Sequence, residues 1–305
     1  MGGILQSSPT VPKETGPLAG KTCLLTGASR GLGRSLAERL WRDGASLVLA
    51  VRKRESVADL VTDLQRGGAG GRSIEVVALD LADAESARSL VPRTMARGVP
   101  RVDVLINNAA VLGPMGNASE NAPDEWAAAV TANLVSPAAI CAAIVPWMAK
   151  NGGGKIINLS GGGATGPRPG FSAYAAAKAG LVRFSETLAE EVKGLGIAVN
   201  CVAPGAMATD MLATIARAGS GVTGEREQAA AKKAFEGGNG TVEAAVELIV
   251  FLASSASDGV TGKLISAVWD NWRDFPGRVE ELRRSDVFTI RRVAGRDRGL
   301  PWCDK

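Results

Sequence analysis

The chain contains no histidine and one tyrosine, and aromatic residues make up only 4% of it. Without an imidazole the usual acid/base group at neutral pH is missing, so proton transfer falls to tyrosine, lysine, cysteine or a carboxylate. Cysteine is also scarce. Cys23, Cys141, Cys201 and Cys303 lie far apart with no Cys-x-x-Cys, which reads as free thiols in a reducing cytoplasm, and no metal site is read from the sequence. No long uninterrupted apolar run suggests a membrane span, and residues 1–16 lack the apolar segment of a signal peptide. The net charge is only +4 with its basic residues scattered, so no nucleic-acid surface is expected.

What is present is a large apolar fraction in short, regular pieces. At 305 residues, 46% hydrophobic and 22% charged, the chain suits one α/β domain with an ample core. Candidate strands are 21–26, 46–51, 74–79, 104–106, 155–159, 197–202 and 263–266. Helical patterns fall near 33–42, 56–65, 84–96, 123–148, 173–193 and 242–252. Continuous apolar strands alternating with helices predict a doubly wound Rossmann-type fold, a seven-stranded parallel sheet with helices on both faces. Residues 1–16 read as a tail, 17–270 as the domain and 271–305 as a C-terminal extension.

Two motifs carry chemistry. The first strand runs into Thr26-Gly27-Ala28-Ser29-Arg30-Gly31-Leu32-Gly33 and then an amphipathic stretch. Glycines there let the backbone turn sharply and lie close to a pyrophosphate at the helix N-terminus. The spacing Gly-x3-Gly-x-Gly differs from the commoner Gly-x-Gly-x2-Gly. The second motif is Tyr174-x3-Lys178, which a helix places on one face, one turn apart. An ammonium beside a phenol favours the phenolate and lowers its pKa, and a phenol so tuned trades a proton with an alcohol or carbonyl oxygen. On its own this short motif fits an ordinary surface helix with an incidental tyrosine and lysine better; the glycine turn changes that.

With these markers, followed in order by Asp80-Leu81, Asn107-Asn108-Ala109-Ala110, Asn133 and Pro204-Gly205 with Thr209, the chain resembles the short-chain dehydrogenase/reductase family over residues 18–268, in its 3-oxoacyl-carrier-protein-reductase-like branch. The resemblance implies an oxidoreductase that moves hydride between a nicotinamide and a ketone, aldehyde or alcohol. Tyr174 is then the acid/base, Lys178 tunes it and binds the nicotinamide ribose, and Asn133 holds a water that links Lys178 to solvent. The cofactor lies along Gly27, Ser29, Arg30, Gly31, Leu32 and Gly33. Asp80 meets the adenine beside Leu81, Asn107 to Ala110 (Asn108, Ala109 and Ala110 among them) hold the cofactor backbone, and Thr209 after Pro204 and Gly205 holds the carboxamide. After the second strand, NAD-selective members carry a carboxylate; here Val51 stands in that place and Arg52 follows it. With Arg30 nearby, two guanidiniums suit a 2′-phosphate, so NADP(H) is preferred and NAD(H) stays possible. A cytoplasmic homodimer or homotetramer is expected, with a small-molecule substrate.

One departure stands out. The family's serine lies thirteen residues before the tyrosine, and here that position is Gly161, within Ser160-Gly161-Gly162-Gly163. Ser160 is adjacent, but a one-residue shift along a strand turns a side chain to the other face. A bulge could bring Ser160 to the substrate oxygen, a backbone N–H could replace it, or a larger substrate group could fill the gap. Gly161 therefore keeps two other functions open: non-redox chemistry such as elimination or epimerisation, and a catalytically silent dinucleotide sensor. Residues 206–240 are expected to cover the active site as the family's substrate lid. The stretch beyond the last strand holds Trp269, Trp272 and Trp302, and a helix is expected from Pro276 through Arg284. It serves as an extra packing layer, a pocket closure or a subunit contact.

Overall fold

Alternation inside the short apolar strands decides how the sheet is clothed. In the computed structural model, which describes residues 16–66, 68–237 and 242–300, the strands are β1 (Thr22–Thr26), β2 (Ser46–Val51), β3 (Ile74–Ala78), β4 (Val104–Asn107), β5 (Gly154–Leu159), β6 (Ile197–Ala203) and β7 (Leu264–Ser266). They form one parallel sheet in the order β3-β2-β1-β4-β5-β6-β7. The helices, in chain order, are α1 (Gly31–Arg42), α2 (Ala58–Arg66), α3 (Ala84–Arg88), α4 (Leu90–Ala96), α5 (Pro123–Val130), α6 (Ser136–Lys150), α7 (Ser172–Glu191), α8 (Asp210–Ala218), α9 (Ser220–Thr223), α10 (Glu225–Phe235), α11 (Val242–Ala253) and α12 (Val279–Arg284).

Successive strand residues point to opposite faces, so both sides of each strand must be apolar. Cys23 and Leu25 pack with Leu47, Leu49 and Ile106 beneath α1 and α11, while Leu24 packs with Val48 and Leu105 beneath α6 and α7. The three described cysteines are buried and free, and burial pushes the Cys141 and Cys201 thiols up to about 12. Such thiols are packing groups, not nucleophiles. Cys303 and Trp302 lie outside the described residues, as does nearly all of the expected 1–16 tail.

The expected single helix over 123–148 is interrupted. Thr131–Val135 form a π-turn between α5 and α6. Proline has no N–H, so Pro137 cannot make the i→i−4 bond to the Asn133 carbonyl, and Ser136 N–H instead reaches back five residues to Thr131. The run Pro123–Lys150 is long and apolar enough to cross a membrane by composition. In the fold it is a core helix, with Ile140, Cys141 and Ile144 fully buried against the sheet. The expected helix over 84–96 likewise divides at Ser89.

The extension differs from the expected helix at Pro276. Residues Trp272–Arg278 form a 3-10 segment containing Pro276, and the α-helix starts only at Val279. Trp272, Phe275 and Leu282 join the core under α11. The chain then returns along β7, where Leu264 N–H donates to the Phe288 carbonyl at 2.7 Å. The buried Lys263 ammonium donates to the Ser285 and Val287 carbonyls, each at 3.0 Å, and Glu186 accepts from Ile290 N–H at 2.7 Å. The extension thereby covers an edge strand that would otherwise expose unpaired backbone groups.

Candidate active site

The marker segments at 26–33, 80–81, 107–110 and 204–209 lie at the carboxyl ends of strands, and the strand order reverses direction between β1 and β4. A crevice at such a switch point is where an open α/β sheet binds its ligand. One wall is the glycine turn. Gly27 and Gly31 have φ of 75° and 54°, a region that disfavours side chains. At Gly33 an added Cβ would overlap the Gly27 carbonyl oxygen and lie 2.6 Å from Asn108 Nδ2. Thr26 ties this turn to the next: its Oγ1 accepts from the N–H groups of Asn108 and Ala109, each at 3.0 Å. Asn108 Nδ2 donates back to the carbonyls of Thr26 at 3.0 Å and Gly27 at 3.2 Å. Thr26 was not singled out in the sequence, although its place at the end of β1 was a usable sign.

The other cofactor-side positions are brought to the same rim. Asp80 accepts from Ala82 N–H at 3.0 Å, and the Leu81 carbonyl accepts from Ser136 Oγ at 2.7 Å, which fixes the loop after β3. Asn107 does not join them. Its amide is buried, donating to Asn158 Oδ1 at 2.8 Å, so it belongs to the sheet interior. Pro204 and Gly205 follow β6, and Thr209 stands beside Gly31, where an added Cβ would lie 3.5 Å from the threonine Cγ2. Arg52, Lys53 and Arg54 are exposed, and among the described residues none has an ion-pair partner. Arg30, also exposed, pairs with Asp210 at 3.2 Å. Ser29, Leu32 and Ala110 lie on the same two turns.

Tyr174 sits in the first turn of α7 and is buried, as is Lys178 one turn on. The Lys178 Nζ lies 5.6 Å from the Tyr174 ring centroid and donates to the Leu159 carbonyl at 2.7 Å. Burial pushes the ammonium down to about 8. The phenol itself is pushed above its ordinary value, because burial outweighs the opposing pull of a cation, and that cation is Arg168. The acidification expected from Lys178 is therefore not the state of the chain on its own.

Asn133 lies in the π-turn, fully buried. Its amide donates to the Val111 and Ala129 carbonyls at 2.8 and 2.9 Å, and its Oδ1 accepts from Val111 N–H at 3.1 Å. The side chain thus anchors the loop after β4. Both amide hydrogens are engaged, so the side chain has no donor left for the expected water.

At the end of β5, Ser160 stays in register: its N–H donates to the Val202 carbonyl at 2.8 Å. Its hydroxyl is buried without a hydrogen-bond partner, and no bulge delivers it to Tyr174. At Gly161 an added Cβ would overlap the Tyr174 hydroxyl and lie 3.1 Å from ring atoms Cε1 and Cζ. The phenol occupies the space that a side chain at 161 would take.

Two residues that the sequence reading passed over complete the pocket. Arg168, between β5 and α7, lies with its guanidinium carbon 4.1 Å from the Phe171 ring centroid and 5.5 Å from that of Tyr174. It pairs at 2.7 Å with Glu227 of α10, both side chains largely buried. Phe171, Tyr174, Leu212, Ile215, Ala231 and Ala234 form one apolar cluster, so α8 and α10 close over the tyrosine. Arg168 is the only charge between Lys155 and Lys178, a signal that was available; its pairing with a residue 59 positions away was not.

The chain is similar to known proteins in sequence and fold. A short chain dehydrogenase family model matches residues 21–219. The chain is 35% identical over 246 residues to the 3-oxoacyl-acyl-carrier-protein reductase FabG of Salmonella typhimurium, covering 81% of this chain and 95% of that protein. It is 36% identical over 193 residues to the human dehydrogenase/reductase SDR family member 4, covering 63% of this chain and 68% of that one. Among solved structures it is similar to a gluconate 5-dehydrogenase-like protein of Beutenbergia cavernae with bound NADP, at TM-score 0.72 and 32% identity over 82% of this chain and 96% of that one. A Shigella flexneri short chain dehydrogenase complexed with NADP aligns at TM-score 0.71 and 26% identity, covering 84% and 99% of the two chains.

Proposed function

This chain belongs to the short-chain dehydrogenase/reductase family, an oxidoreductase of CH–OH and C=O groups, and from that premise we propose that it is an NADP(H)-dependent carbonyl reductase or alcohol dehydrogenase with Tyr174 as its acid/base. The observation that carries the proposal is the burial of the chain's only tyrosine at the mouth of β5, one helical turn from Lys178, with no histidine anywhere to do its work.

The residues of the first wall fit a dinucleotide. A turn that rejects a Cβ at Gly27 and Gly33 and opens the N-terminus of α1 leaves backbone close to a pyrophosphate. Unpaired Arg52 beyond Val51, with no carboxylate in that place, suits a 2′-phosphate, and two structural relatives were solved with NADP. When bound, the nicotinamide supplies the hydride chemistry. The chain's own work is then to hold the carbonyl against Tyr174 and to move one proton at Oη, given during reduction and taken during oxidation. Lys178 would bind the ribose, and Asn133 would hold the water behind it. Gly161 and Gly162 offer backbone N–H groups in place of the serine hydroxyl. Closure of α8 and α10 excludes water from the exchange.

The test follows NADPH consumption over a panel of ketones and aldehydes. Tyr174→Phe should cut turnover by about 10²-fold or more while NADPH affinity stays within a factor of about two. Gly161 keeps one competing reading alive, a dinucleotide sensor. Tight NADPH binding with no turnover of any carbonyl by the wild-type chain would establish that reading instead.

A further inference from the structure

Besides Lys178, whose Nζ lies 5.6 Å from the Tyr174 ring centroid, a second cation lies near Tyr174, and it is not on the same helix. Arg168 reaches it from the loop after β5, stacked over Phe171 at 4.1 Å and lying 5.5 Å from the tyrosine ring. The same guanidinium is held at 2.7 Å by Glu227, which rides on α10. Lys178, one turn along α7, spends its ammonium on the Leu159 carbonyl. We infer that the Arg168–Glu227 pair is a positioning device that couples the seating of α10 to the proton held by Tyr174, on the reading that Tyr174 is the acid/base.

The argument is electrostatic and geometric. With α10 seated, Glu227 matches the guanidinium, and the tyrosine, buried among apolar side chains, meets a nearly neutral pair. Burial then dominates and keeps the proton on the phenol. If α10 lifts, the carboxylate leaves while Arg168 is retained by the ring of Phe171, and an unmatched cation faces the phenol. No other charge offsets this change. From α8, Asp210 is engaged with Arg30 outside the pocket. From β6, Cys201 is a neutral thiol, its pKa pushed up to about 12. Lys178 stays fixed on the strand end. Closure therefore favours a protonated acid ready to donate, and opening favours loss of that proton.

The chain's single tyrosine makes the device directly readable without turnover. Tyrosine labelled with a carbon isotope at Cζ gives one resonance whose shift reports phenol against phenolate. The NADP-saturated protein would be titrated through the alkaline range as wild type, Arg168→Gln, Glu227→Gln and the double variant. Arg168→Gln should raise the midpoint by about half a pH unit or more, since it removes the cation and leaves a carboxylate behind. Glu227→Gln should lower it by a similar amount, and the double variant should return close to wild type. Arg168→Lys, which keeps the charge, should stay near wild type; if Arg168→Gln does not fold, the fall in midpoint of Glu227→Gln against an unmoved Arg168→Lys carries the test. A purely structural pair would move both single variants the same way. That result, or four indistinguishable titrations, overturns the inference. Failure of Tyr174→Phe to lose turnover would overturn the catalytic reading instead, and leaves this titration unaffected.

Discussion

The two walls of the crevice are built from different materials. On the cofactor side, the turn after β1 is held by backbone groups and by Thr26 and Asn108, and its dimensions are set by what glycine lacks. On the proposed substrate side, Tyr174 is held by side chains from the loop after β5, from α7 and from α8 to α10, joined by one largely buried ion pair and an apolar cluster. Backbone walls tolerate no added atom. Side-chain walls can repack, and so can be tuned and moved. The difference separates a site that must fit one invariant group from a site that must fit one substrate among many.

The sharpest way to break the comparison is to add a single methyl to each wall. Gly33→Ala places a Cβ against the Gly27 carbonyl and Asn108, neither of which can yield without opening β1 from the loop after β4. It should cost NADPH affinity about 10²-fold or more and lower the thermal midpoint, since overpacking alone costs about 1–3 kcal/mol. Calorimetric binding and a melt would check it. An alanine that binds NADPH normally would show that the turn is no more rigid than its counterpart.

Gly161→Ala and Gly161→Ser apply the same change to the other wall. There the Cβ meets the Tyr174 hydroxyl, the far end of a side chain, so the phenol can rotate at the expense of its packing with Phe171 and Leu212. Both variants should fold and bind NADPH, and both should turn over about 10-fold more slowly because the obstruction is the Cβ in each. A serine variant faster than wild type beside a slower alanine variant would reverse this. It would mean that the missing hydroxyl, not the space, limits the reaction.

The same division explains what could be read in the sequence. All seven strands, the parallel sheet and the glycine turn were legible because each is a local pattern: apolar runs of three to seven residues, then glycines at positions where only glycine fits. The π-turn at Asn133 was written locally as well, in Pro137, but reads only once the helix is known to continue through it. Arg168 and Glu227 were not legible as a pair. Each is an ordinary charge in its own segment; the resemblance puts 206–240 over the site, but nothing in either segment says that these two side chains meet. The upward push on Tyr174 was hidden for the same reason. Spacing shows Lys178 one turn away, whereas burial and the Leu159 carbonyl decide what that ammonium does.

Arg52 and Arg30 give the smallest effects and the finest test, because Arg30 stands where the two walls meet. Arg52 is exposed with no carboxylate beside it, so its fork is available to a 2′-phosphate without displacing anything. Arg30 is shared with Asp210, the first residue of α8, at 3.2 Å. Arg52→Ala should weaken NADPH about 10-fold, the worth of one charge-assisted contact, and leave NADH unchanged. Arg30→Ala should cost less, because a phosphate must first take that guanidinium from the carboxylate. Asp210→Asn should then tighten NADPH by a factor of about two to three, as expected for removal of an exposed competing ion pair, and the gain should shrink as salt is raised. Dissociation constants for both cofactors at two ionic strengths would decide it. If Asp210→Asn weakens NADPH instead, the Arg30–Asp210 contact helps to build the phosphate site, and the lid would then belong to the cofactor wall as much as to the substrate wall.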